Sequence, residues 1–103
     1  MSRFVLHPEA YTDLDEIWEY IAVDSLDAAD RVSEEIYNAI RNLVPFPYQG
    51  HERPDLTQRP LRFHRIRDYL IAYSPDEKPL VVVAVLHGRR SPRVIASILG
   101  RRK

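Results

Sequence analysis

Cysteine is absent from the 103-residue chain. That excludes a disulfide framework, a thiolate metal site and a cysteine nucleophile, and it agrees with a reducing cytoplasm. Long apolar runs are missing as well. The longest, residues 80–86, falls far short of the about 20 residues a membrane helix requires, and the apolar patch near the N-terminus is shorter than a signal-peptide core. Internal repeats and low-complexity tracts are also lacking. The expectation is one compact domain over residues 1–103, cytoplasmic, with no membrane contact and a basic, mobile tail from about 100 to 103.

Net charge is absent only in the total. Residues 1–52 carry three Lys/Arg against eleven Asp/Glu, whereas residues 53–103 carry twelve against four. A cationic half presents a local positive field to nucleic acid or to an acidic protein surface, which a neutral total would conceal. The bland reading is two faces compensating each other within a monomer, with the acidic helices a solvated face.

What is present has a clear order. Residues 3–7 read as a short strand stopped by Pro8, a good first residue for a helix. Ala10, Leu14, Ile17, Trp18 and Ile21 then form one apolar stripe, with Asp13, Asp15, Glu16 and Glu19 placed outside it. Asp24-Ser25-Leu26-Asp27 interrupts with capping chemistry, and Ala29, Val32, Ile36, Ile40 and Leu43 form a second stripe. An antiparallel helical hairpin is implied. Pro45, Pro47 and Gly50 stop the second helix and begin a polar connection to Pro60. Three antiparallel strands should follow, over 61–66, 69–74 and 80–87, the last apolar on both faces and hence central and covered on both sides. Residues 92–99 can form a short final helix between Pro92 and Gly100.

This β-α-α-β-β-β order, an α+β fold with its hairpin packed on a mostly antiparallel sheet, resembles the RelE/ParE toxin superfamily. The residues that carry the resemblance are Leu6-His7-Pro8-Glu9-Ala10 and Asp13-Leu14-Asp15-Glu16-Ile17-Trp18 in the first helix, Ala28-Ala29-Asp30-Arg31 opening the second, and Pro47-Tyr48-Gln49-Gly50 after it. Leu61-Arg62, Tyr69-Leu70-Ile71-Ala72-Tyr73 and Val85-Leu86-His87-Gly88-Arg89-Arg90 complete it, and the branch resembled most is ParE. The resemblance implies a toxin of a bacterial type II toxin-antitoxin pair, neutralised by a cognate antitoxin wrapped over its helices and sheet. ParE-like members resemble inhibitors that trap DNA gyrase on cleaved DNA without hydrolysis of their own. RelE-like members resemble ribosome-dependent mRNA endoribonucleases, and a member that has lost toxicity would persist as a corepressor with its antitoxin.

Cleaving RNA through its 2′-OH requires a base, an acid and cations around the phosphate. Arg62, Arg65, His87, Arg89 and Arg90 would be the nuclease set, with Glu52 or His64 as a second proton carrier. The C-terminal tyrosine of RelE-like members has no counterpart after Tyr73, and no lysine precedes Lys78. The reading that follows is therefore non-catalytic, with Arg65, Arg67, Arg89, Arg90 and Arg93 as the target-binding set and no cofactor. Arginine suits that role because it forks onto phosphate or carboxylate and keeps its charge. His87 has an alternative duty as a hydrogen-bonding residue at a strand end. His7, His51 and His64 lack the spacing of a helical metal pair, so no metal is expected. Trp18 and Tyr37, like Tyr69 and Tyr73, are assigned to packing in preference to an aromatic platform.

Overall fold

The computed structural model describes residues 3–103, and its elements follow the expected order. They are β1 (Phe4–Leu6), α1 (Pro8–Ala22), α2 (Leu26–Leu43), a 3₁₀ turn (Pro47–Gln49), β2 (Arg62–Ile66), β3 (Tyr69–Ser74), β4 (Leu80–His87) and α3 (Pro92–Arg101). Each helix start is set by local chemistry. The His7 imidazole accepts the Glu9 amide ahead of Pro8, Ser25 Oγ accepts the Ala28 amide, and Ser91 Oγ accepts the Val94 amide.

The sheet order is β1-β4-β3-β2, with β2-β3-β4 antiparallel and β1 parallel to β4. The sheet is thus mixed, because the hairpin returns the chain from β1 to the far side of the meander. Both faces of β4 are covered, as its two-sided apolar run requires. On one face Ile71, Tyr73, Val82 and Val85 meet Ala10 and Leu14 of α1 and Val32, Ile36, Ile40 and Leu43 of α2. On the other, Phe63, Val83, Ala84 and Leu86 meet Ile95 and Leu99 of α3, together with Leu56 and Leu61 of the connection. The stripe on α2 is buried as its spacing required. The connection differs from the polar loop expected, since Leu56 is 2% exposed and forms part of that second layer.

Pairing of β3 with β4 slips between Ala72 and Tyr73: Ala72 faces Ala84 but Tyr73 faces Val82, leaving Val83 as the extra residue of a β-bulge. A second departure lies at the C-terminus. The span expected to be a mobile basic tail is helical to Arg101, and Arg102 behind it is buried at 7% exposure. Its guanidinium pairs with Asp13 of α1, which is itself 6% exposed. Asp13 therefore does not lie outside the helix stripe: it is three residues after Ala10 and four before Ile17, on the buried face.

Candidate functional site

One end of the sheet gathers the arginines. β2 and β3 join through a tight turn in which Arg67 takes a positive φ of 53°, unusual for a side-chain-bearing residue. The Gly88 amide donates to Asp68 O at 2.7 Å, tying the end of β4 to that turn. A side chain at Gly88 would approach Asp68 O at 3.2 Å and the Arg65 guanidinium at 3.9 Å, so Arg65 lies beside the Gly88-Arg89 corner. Arg65, Arg89, Arg90 and Arg93 are exposed and, among the described residues, form no salt bridge. Arg65 thus lies beside the corner that leads to Arg89 and Arg90, and Arg93 follows in the first turn of α3.

Arg67 stands at the same end but is engaged. It donates to both Glu35 oxygens, at 2.6 and 2.8 Å, and ties the turn to α2. That pair lowers the Glu35 pKa and raises that of Arg67, each chiefly through the shared hydrogen bonds.

Arg62 is far from this group. It faces Tyr73 in the ladder, four residues along β2 from Ile66, which is level with Tyr69 and His87. At about 3.3 Å per residue this is a separation of about 13 Å. Its guanidinium donates to Gly50 O at 2.8 Å and lies 5.4 Å from the centre of the Tyr48 ring, holding the connection down. Arg62 and the set around His87 therefore do not surround one point.

His87 is engaged in a way that bears on its chemistry. Its Nδ1 accepts the Arg89 amide at 3.1 Å, and its ring meets Tyr69 edge to face at 5.5 Å. A neutral imidazole that accepts at Nδ1 carries its proton on Nε2. With Nδ1 so occupied, that nitrogen is not free to take a proton from a substrate. The other proton carriers named for cleavage lie elsewhere: His64 faces Asn38 and Asn42 of α2, and Glu52 is 4.0 Å from Arg62. Among the described residues no three His, Asp or Glu side chains are grouped so as to hold a metal ion.

Burial, and secondarily the nearby His51, hold the His64 pKa below its usual value. The unfolded chain therefore binds this proton more tightly, so stability present above the unfolded pKa of about 6.5 is lost as pH falls through the folded value. Thermal unfolding from pH 7 to pH 5 should show the melting temperature fall, and His64→Gln should flatten that fall. An equal slope in both proteins would exclude His64 as its source.

Tyr73 and Tyr69 lie on the hairpin face of the sheet, as packing required. The Tyr73 hydroxyl accepts the Gly50 amide at 2.9 Å and donates to Pro47 O at 2.7 Å. Trp18, half-buried, donates to Asp30 at 2.8 Å across the hairpin. No helix is long and apolar enough to cross a membrane among the described residues. Sequence reasoning missed Asp13 and Arg102; an acidic residue on an apolar helix stripe was the available signal.

A family model described as the ParE toxin of type II toxin-antitoxin systems matches residues 4–92. No curated protein matches the chain.

Proposed function

This chain belongs to the ParE toxins of type II toxin-antitoxin systems, and we propose that it acts in the cytoplasm as a non-catalytic poison of DNA gyrase. A cognate antitoxin partner follows from the family. In this reading the arginine end of the sheet, Arg65, Arg89, Arg90 and Arg93, engages gyrase or its DNA complex, while Arg67 orients the turn beside them. The observation that carries it is the presence of four exposed arginines without a carboxylate partner among the described residues, one of which, Arg65, donates to Arg67 O at 3.3 Å, beside a histidine whose Nδ1 is already spent on Arg89. Such an end binds anions well and lacks a positioned base.

The test is a supercoiling and DNA-cleavage assay with purified, antitoxin-free protein. The expected result is inhibition with trapped cleaved DNA. Arg89→Ala/Arg90→Ala should require at least about tenfold more protein, and if both arginines meet phosphates the log-log salt dependence should flatten by about 2. His87→Ala should change potency only as far as it changes folding. No inhibition by a folded sample would overturn this reading and direct the search to mRNA cleavage on ribosomes, where His87→Ala would abolish activity. Absence of growth arrest on induction would instead identify a corepressor that has lost toxicity.

A further inference from the structure

The open edge of β4 is closed by two side chains. β1 spans three residues and β4 eight, and the last backbone bond between them runs from the His7 amide to Val82 O. Beyond that point β4 has no strand neighbour on this side among the described residues. The bulge at Val83 reverses which groups face outward, so Val83 O and the Val85 amide point into the vacant side. Arg102 donates to Val83 O at 3.2 Å, and Asp13 accepts from the Val85 amide at 3.0 Å. The same two side chains are joined by a pair of hydrogen bonds, the one from Nη2 to Oδ1 being 2.8 Å long. A carboxylate and a guanidinium thus stand in for the missing strand.

This pair also holds α3. Only Ile95 and Leu99 of that helix are fully buried, so its apolar docking is slight. Its last turn is clasped by Arg59 of the connection, which donates to Leu99 O at 3.0 Å and to Arg102 O. Arg102 Nε is buried without a hydrogen-bond partner, so the seat is incompletely satisfied. All of α3 after Pro92 lies beyond the family match, which ends at residue 92, and Asp13 is one of its attachments to the matched body, with Ile95, Leu99 and the Arg59 clasp.

We infer that Asp13 and Arg102 are positioning residues for toxicity, a latch that sets the C-terminal helix and, through it, Arg93 and the Arg89-Arg90 turn. The inference rests on the reading that this arginine end carries the toxin's action. Asp13 sits on the acidic hairpin and is not one of those arginines, yet its loss should disarm them by letting α3 lift.

The test uses Asp13→Asn and Arg102→Lys in the full chain, with amide hydrogen exchange of the purified toxin and growth arrest on induction as separate readouts. Asp13→Asn should speed exchange across α3 and at the Val85 amide by at least about tenfold while α2 stays protected. Growth arrest should weaken with it, and Arg102→Lys, which keeps the charge but loses the fork, should fall between. Unchanged α3 protection in folded Asp13→Asn overturns the latch, and faster α3 exchange with undiminished arrest overturns the positioning role. If Asp13→Asn does not fold, a chain ending at Arg101, which frees Asp13 to water, is read the same way. Failure of both to fold overturns the inference, because the pair would then hold up the whole domain. The exchange readout judges the latch whatever the target, so a negative gyrase assay stands apart from a failed latch.

Discussion

Asp13→Leu should lower the free energy of unfolding by about 3–5 kcal/mol, measured by urea denaturation with a two-state fit. The change leaves the Arg102 guanidinium in a site where its side chain is 9% exposed, facing an apolar group, and it strips the Val85 amide of its acceptor. Apolar burial of the new side chain offsets little of this, since the lost partner is an ion. An upper bound comes from the fold itself: Arg102 can return to water if α3 undocks, so the cost cannot exceed that of withdrawing Ile95 and Leu99 from the second layer, at about 1.5–3 kcal/mol each, with the Arg59 clasp besides. The double variant Asp13→Leu/Arg102→Leu should recover only part of the loss. It removes the stranded charge but leaves Val83 O and the Val85 amide without partners, at about 1–3 kcal/mol for each buried orphan. Full recovery would mean that water reaches this edge of β4 and that the pair caps nothing.

Local periodicity made most of this fold readable, and long-range pairing hid the rest. The stripe on α2 and the two-sided run of β4 both state their burial through spacing alone. The parallel pairing of β1 depends on where the hairpin returns the chain, which no local pattern encodes. The same limit explains the site. Arg65 and Arg89 could be placed together because each lies next to a strand end, but Arg62, counted with them, is carried to the opposite end by the ladder that faces it to Tyr73. Counting register back from the turn at Arg67 and Asp68 would have separated them. Arg67 itself looked free because its partner Glu35 lies 32 residues away, and Arg102 looked like solvent-facing tail because Asp13 lies 89 away. Charged residues that serve as structure are recognised by their partners, and here each partner sits in the other half of the sequence. Part of the separation of charge between the two halves is therefore consumed internally, by Asp13 with Arg102 and Glu35 with Arg67, and the arginines at the sheet end are among those that keep no carboxylate partner among the described residues.

Gly50→Ala should cost about 3–5 kcal/mol although the residue has ordinary backbone angles, φ −74° and ψ 174°. The cause is space. A Cβ there would lie 2.5 Å from the Tyr73 hydroxyl and 2.9 Å from Phe63 O. Neither yields cheaply: Tyr73 is fully buried with its hydroxyl held by Gly50 and Pro47, and Phe63 O already accepts the His51 amide at 2.9 Å. Moving the tyrosine breaks two hydrogen bonds, and moving β2 breaks its bridge to the connection. A double-mutant cycle with Tyr73→Phe separates these routes. Removing the hydroxyl removes the nearest obstacle, so the double variant should cost less than the sum of the singles by about 1 kcal/mol or more. Additivity would instead place the strain on Phe63 and the strand. A cost below about 1 kcal/mol for Gly50→Ala alone would show that the connection floats free of the sheet. That connection also carries Arg59, the clasp on the last turn of α3. Gly50 thus supports the arginine end from the far side of the sheet, and Gly50→Ala should loosen α3 without touching it.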